Sequence, residues 1–376
     1  MHFSVLVPIK VPVVSDEAKA KAIAANLYID ALKQQSDTEQ TGSIMDNVLH
    51  KLHLQHAQSV STPFAAEVDE AVSEAMEPYS QDTEDPRYRI FEDETEDLKE
   101  EFETGTSAGI LYNGKYYGKY DIPGFEVCKD GVVREKTSDG KHFLSPKAQQ
   151  MTFVENIPNK EFYGTFRKFA KERSYYCKEK KAWGYFSNPN CFWDWYSIGG
   201  RWRGSLLVKD TVEDAMLGIP GVGDNSEPQG PTGYKWVDAA RLKDIEIEEM
   251  ARQEEARIRD HQAKYKAIWE GTYVATDSKD DFSRHVDKRA DGLYYFGRRI
   301  YDPTVDVETV VKNHNCVASN ALCSIFHAYL DTEADVPEEY GYYDKDCIEG
   351  DWDEQFNDFI SDLDPDTVIV TVDCHM

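Results

Sequence analysis

The chain has 376 residues, 30% of them charged, with a formal net charge of −28, which is length enough for one large or two ordinary domains. No apolar run approaches the ~18–20 residues of a membrane span, and the opening Met-His-Phe-Ser-Val-Leu-Val-Pro has neither the basic start nor the small-residue cleavage site of a signal peptide. Seven scattered cysteines without CxxC pairs argue against a disulfide framework or a zinc ribbon and for a reducing cytoplasm.

Residues 2–14 read as an opening strand, with Phe3, Val5 and Val7 alternating with His2, Ser4 and Leu6. Pro8 and Pro12 limit its regular pairing. Ser15-Asp16-Glu17 starts an Ala-rich helix to about residue 34, with Ile23, Leu27 and Leu32 as its apolar stripe. A second helix runs from the capping signal at 43–46 to about 58, and a third short one spans about 65–76. Residues 77–103 lack a clean period and read as an acidic connector. Asn113-Gly114, Asp130-Gly131 and Asp139-Gly140 then punctuate two or three hairpin strands. An amphipathic helix over 161–171 carries Phe162, Phe166 and Phe169, and a strand over 202–209 follows the next aromatic stretch. Residues 218–233 read as a Gly- and Pro-rich surface loop, and 237–269 as the longest helix. Strands are expected at 273–275 and 293–296, and helices at 307–312 and 318–330. A helix over 351–363 would dock Trp352, Phe356, Phe359, Ile360 and Leu363 inward. A final strand ends in Val-Ile-Val-Thr-Val-Asp-Cys-His375.

Strands at both ends suggest one central sheet that holds them together. Antiparallel pairing would bring His2 near Asp373 and His375, which share a face because they are two residues apart. The fold expected is therefore α+β, with a mainly antiparallel central sheet including both terminal strands. Residues 1–14 and 105–376 would form the core, and 15–104 an inserted helical lobe with its acidic connector. One long charged helix would complete it.

Charge is uneven. Residues 67–103 hold 16 acids and 3 bases, and 331–366 hold 15 acids and 1 base. Residues 159–209 hold 11 bases and 4 acids. So acidic a surface repels nucleic acid, and direct contact is expected only near 159–209.

Four of the seven tryptophans and eight aromatic residues in all lie between positions 183 and 202. There Trp193, Trp195 or Tyr196 could stack on a planar ligand. Arg201 and Arg203 could take its phosphate or carboxylate, with Gly199-Gly200 allowing close backbone approach. The plain alternative is a tryptophan core in which Asp194 pairs with Arg201. A second candidate is Asp373–His375 with His2, a carboxylate–imidazole set suited to general acid/base work or a divalent metal; a frayed chain end is its plain alternative. Cys374 faces the other way and reads as a core thiol. His50, His53 and His56 lack an HExxH glutamate and read as a surface helix. The Gly221-Val-Gly-Asp stretch lacks a phosphate-loop pattern. Asp351, Glu354, Asp358 and Asp362 would point outward and could imitate a nucleic-acid backbone toward a basic partner, or simply keep the protein soluble. No cofactor or resident metal is implied.

Asn188-Pro-Asn…Trp193-Asp-Trp-Tyr-Ser-Ile-Gly-Gly-Arg-Trp-Arg-Gly204 resembles a signature of uncharacterised bacteriophage and prophage proteins. These share the His2–Val7-like opening and a Val-Asp-Cys-His-like end, here Val372 to His375. The close resemblance covers about a tenth of the chain. It implies a viral accessory role in the cytoplasm of a bacterial host, including interference with host defence, and a core made of both termini and the Trp-rich segment. It brings no catalytic residue. The leading expectation is a protein that binds a host protein or a nucleotide-like ligand at the aromatic–basic centre. The alternatives are an acidic nucleic-acid mimic and a hydrolase using Asp373 and His375.

Overall fold

The two apolar end segments are neighbours. His2–Ile9 pairs antiparallel with Val368–His375 along its whole length, from His2 opposite His375 to Ile9 opposite Val368. In this computed structural model the described residues are 1–11, 14–35, 44–221, 228–275, 281–288, 294–296, 299–314, 321–334 and 341–376. They divide into two compact units, Met1–Gln81 with Asn190–Met376, and Asp82–Pro189.

The first unit is built on an eight-stranded sheet. Val368–His375 also pairs antiparallel with Trp195–Gly200 and Ala239–Arg241. His2–Ile9 takes Ala328–Leu330 as a parallel neighbour, and that strand pairs antiparallel with Tyr342–Asp344. Most pairings are antiparallel, and both terminal strands lie inside the sheet, as expected for this α+β fold. Their centrality follows from composition: Val5, Leu6, Val7, Ile369, Val370 and Val372 are fully buried, so both faces need cover.

One face is covered by three helices, α1 (Asp16–Gln35), α2 (Ile44–Ser59) and α3 (Pro63–Met76). The hydroxyl of Thr62 accepts from the Ala65 amide to cap α3, and Pro63 opens its first turn. Val5, Val7, Val370, Val372 and Cys374 meet Phe64, Val68, Val72 and Met76 in a single core cluster. The opposite face buries Leu6 and Ile369 with Leu206, Leu207, Met250, Phe326 and Phe356. These come in part from the helices Ile247–Glu270 and Trp352–Asp362. The latter buries Phe356 and leaves Asp351, Glu354, Asp358 and Asp362 exposed, as its period predicts.

Several expectations are corrected. The buried face of α1 is Ala18, Ala22, Ala25 and Ile29, whereas Ile23 and Leu27 are exposed at 62% and 67%. Small side chains let α1 approach α3 closely, so size and not hydropathy selects the inner face. Residues 15–81 therefore belong to the terminal-sheet core, and the division falls at 81/82 and 189/190, not at 104/105. The connector is structured: it contains the strand Ile90–Asp93 and the helix Thr95–Thr104. The long helix begins only at Ile247, because Tyr234–Val237 and Ala239–Arg241 are strands. Trp202 lies in a turn before the strand Leu206–Lys209. The helix expected over 318–330 is, within described residues, a short turn and the strand Ala328–Leu330; the strand expected at 273–275 is not formed.

The second unit holds three small sheets, each of three strands. Asn113-Gly114, with φ of 50° and 73°, turns Thr106–Tyr112 into Lys115–Tyr117. Phe125–Val127, Val133–Lys136 and His142–Phe143 form a small meander. Ile90–Asp93, Ala182–Ser187 and Tyr175–Cys177 form a third sheet. Gly164, at φ 72°, splits the helix expected over 161–171 into Asn159–Tyr163 and Phe166–Arg173. No helix of the described residues is long and apolar enough to cross a membrane.

Candidate functional site

Strand register decides what meets at the ends of the central strands. His375 lies directly opposite His2 on one side and Trp195 on the other. The next row on the same face is Ser4, Asp373 and Ser197. His327 precedes Ala328, which is the parallel partner of Val5. Alternation therefore puts His327 on the face of Ser4, and its amide donates to the Ser4 carbonyl.

His2 Nδ1 is 2.9 Å from Asp373 Oδ1, and His375 Nδ1 is 2.8 Å from Asp194 Oδ1. A carboxylate only accepts, so in each neutral imidazole Nδ1 carries the proton and Nε2 keeps its lone pair. The two rings are 4.8 Å apart at 62°, and Trp195 stands edge-on to His2 at 6.2 Å. Asp373 is 1% exposed, whereas Asp194 and His375 are about 40% exposed at their side chains. The hydrogen bond from His375 holds the Asp194 carboxyl below the usual carboxylate range.

The Gly-Gly-Arg turn is fastened by two carboxylates. Asp373 Oδ2 accepts the Arg201 amide at 2.9 Å. Asp238, fully buried, accepts the Gly204 amide at 2.6 Å and the Gly218 amide at 2.8 Å. Gly199 and Gly200 have φ of 84° and 57°. A Cβ on Gly199 would lie 2.7 Å from Asp238 Oδ2, and one on Gly200 would overlap Asp373. Only glycine satisfies both the conformation and the space. Burial pushes the Asp238 carboxyl up to about 7, while its backbone donors and Arg203 pull it down.

These contacts sort the sequence candidates. Arg201 does not pair with Asp194: its amide is bound, its side chain is exposed, and its guanidinium has no partner among the described residues. Arg203 Nε donates to the Gly218 carbonyl at 2.8 Å, which ties this side chain to the turn. Trp193 Nε1 donates to the Met76 carbonyl, and its ring meets Tyr196 edge-on at 4.8 Å. Both rings pack on the helix-covered core, and burial raises the Tyr196 hydroxyl to about 12. Trp195, 46% exposed, is thus the stacking candidate. Cys374 is fully buried on the opposite face from His375, and burial raises its thiol. Ile219–Pro220 pairs with Gly199–Gly200, so the start of the 218–233 loop is part of the turn; residues 222–227 lie outside the description. His53 and His56 are exposed on α2, and the side chain of His50 lies outside the described residues. No cluster of three or more His, Cys, Asp or Glu among the described residues is arranged for a metal.

Three participants escape sequence reasoning. His327, exposed at the sheet end and edge-on to Trp202 at 6.3 Å, is held below the usual imidazole range by desolvation and by Lys345. Ser197 is 6% exposed and its hydroxyl has no hydrogen-bond partner among the described residues. Asp238 precedes a short strand, and nothing local marks it. Only the alternation of Ala328–Leu330 offers a signal, and it identifies a face without a neighbour. No family model matches the chain, and neither a curated protein nor a solved structure matches it significantly.

Proposed function

We propose that the ends of the terminal strands form an acid–base site for a phosphorylated, nucleotide-like ligand, and that the protein cleaves a phosphate ester there. The observation that carries this is the pair of imidazoles 4.8 Å apart, each with Nδ1 on its own carboxylate. One neutral Nε2 takes the proton of an attacking water or hydroxyl, and the other, protonated, gives a proton to the leaving oxygen. Asp373 and Asp194 orient the rings and fix which nitrogen carries the proton. Arg201 anchors the anion through its unpaired guanidinium, and Trp195 offers a ring face to a base. The resemblance to phage proteins makes a host nucleotide or nucleic-acid component, in a bacterial cytoplasm, the natural source of the ligand.

The test is to incubate the protein with cyclic nucleotides, dinucleotides and a chromogenic phosphodiester, following products by mass spectrometry and binding by thermal shift. Turnover with a bell-shaped pH profile is expected, falling at least about 100-fold in His2→Gln and in His375→Gln. A thermal shift without product would leave a binding protein, the non-enzymatic reading of the same site. Neither shift nor product across the panel would end the proposal.

A second reading has its own support. Asp351, Glu354, Asp358 and Asp362 form an exposed acidic row on an ordered helix, a shape suited to a basic groove on a host nucleic-acid-binding protein. Binding to such a partner should weaken with salt and with Glu354→Lys and Asp358→Lys; affinity unchanged by both would remove it.

A further inference from the structure

Net charge separates the two units. Residues 82–189 hold 20 acids and 18 bases, a net charge of −2, which leaves −26 on the first unit. Eight of the 11 bases counted over 159–209 fall in the second unit. Two of them are paired, Lys160 with Glu103 and Arg173 with Glu101. The other six, Arg167, Lys168, Lys171, Lys178, Lys180 and Lys181, are exposed and have no carboxylate partner among the described residues. Elsewhere in the same unit, carboxylates pair with Arg87, Lys99, Arg134, Lys136 and Lys141. Of the 18 bases of this unit, 11 have no carboxylate partner among the described residues, and six of those 11 are gathered within 167–181.

Three of these lysines form the turn between Tyr175–Cys177 and Ala182–Ser187. Lys181 has φ 56°, a conformation that Gly or Asn adopts more easily, so the turn carries a cation where backbone comfort asks for neither charge nor length. Along one face of the sheet lie aromatic rings. Tyr175 is opposite Gly184, and Phe186 is opposite Phe91. Alternation puts Tyr175, Phe91 and Phe186 on the same side. Tyr175 is 64% exposed and Phe186 41%. The Arg89 guanidinium lies 4.9 Å from the centroid of Phe186. From Lys181 to Phe186 is about 17 Å at ~3.3 Å per residue, with cations at both ends and rings between.

We propose that this face of the second unit binds single-stranded nucleic acid, its bases on Tyr175 and Phe186 and its phosphates on Lys178, Lys180, Lys181 and Arg89. Exposed ring faces favour a strand whose bases are free to stack over a paired duplex, and the unpaired cations supply the charge complementarity. The surface belongs to the unit without the imidazole pair and does not depend on the acid–base reading.

The experiment uses the full chain and fluorescein-labelled oligothymidylate and oligouridylate of about 16 nucleotides. Anisotropy is followed between about 50 and 200 mM salt. A same-length duplex and phosphatidylserine vesicles are run in parallel. Binding to a single strand is expected, tighter than to duplex and falling steeply with salt. Tyr175→Ala with Phe186→Ala should weaken it about tenfold or more. Lys178→Gln, Lys180→Gln and Lys181→Gln together should lower the salt slope by about 2. The lysine variant alters only an exposed turn, so it keeps the test open should the aromatic variant misfold. No binding to either oligonucleotide at the lowest salt, binding unchanged in the lysine variant, or binding only to vesicles would each overturn the proposal.

Discussion

Two buried carboxylates flank the Gly199–Gly200 turn and differ in what they leave free. Asp238 spends both oxygens on backbone amides, those of Gly204 and Gly218. Asp373 gives one oxygen to the Arg201 amide and the other to an imidazole at the surface. The first fastens the chain to itself. The second links the fastened turn to a titratable group that solvent can reach. The same residue type beside the same turn is thus closed on the backbone on one side and joined to an imidazole on the other, and the partner of the second oxygen makes the difference.

Substitutions test that contrast. Asp238→Ala should have the largest effect on stability, about 3 kcal/mol or more, because it strips buried amides of their acceptor; denaturant melts would measure it, and a loss below ~1 kcal/mol would mean that water replaces the carboxylate. Gly200→Ala comes next, at roughly 1–3 kcal/mol, since it combines positive φ with overlap on Asp373. It should also disturb His2, read as a shifted imidazole resonance in NMR. Asp373→Asn should cost less stability than either, about 1–2 kcal/mol, while lowering any turnover about 100-fold or more by losing the His2 tautomer. Should turnover persist unchanged, Asp373 would be a second staple.

The fourth test uses pH. Asp238 in the folded protein binds its proton more tightly than in the unfolded chain, with a value of about 7 against about 3.9 unfolded. Its contribution is therefore fully present below the unfolded value and is lost as pH rises through about 7, by up to ~1.4 kcal/mol per pH unit. Melts at several pH values should show the wild type losing stability relative to Asp238→Asn across that window; parallel curves would refute the assignment. Arg201→Ala should have the smallest effect on stability, within about 0.5 kcal/mol, because its side chain is exposed and unpartnered, yet it should abolish the ligand-induced thermal shift.

Much of this was legible wherever a short-range period carried the information. The apolar runs at 2–9 and 368–375, the shared face of Asp373 and His375, and the outward acids of the 352–362 helix all follow from alternation or helical spacing. Period says which side a residue faces, however, and not what it meets there. Asp194 meets His375 and not Arg201, because it adjoins Trp195, the cross-strand partner of His375, while the arginine lies beyond the Gly199–Gly200 turn. The inner face of α1 could not be read from hydropathy because alanines win the close contact. Eight of the 11 bases of the basic segment lie in the other unit, which leaves Arg201, Arg203 and Lys209 beside the Trp-rich stretch, and of the two arginines Arg201 is the exposed one.

The register that joins His2 to His375 also bears on how the chain reaches its fold. The central pairing joins residues 359 to 373 positions apart, whereas every strand pair in residues 82–189 closes within that stretch. Contact order of that kind slows folding, since loop-closure entropy is spent before the sheet returns any packing. The second unit should therefore acquire protection from hydrogen exchange early in refolding. The amides of Val370, Val372 and Cys374 should be among the last protected, and the two histidines would come together only in that final step.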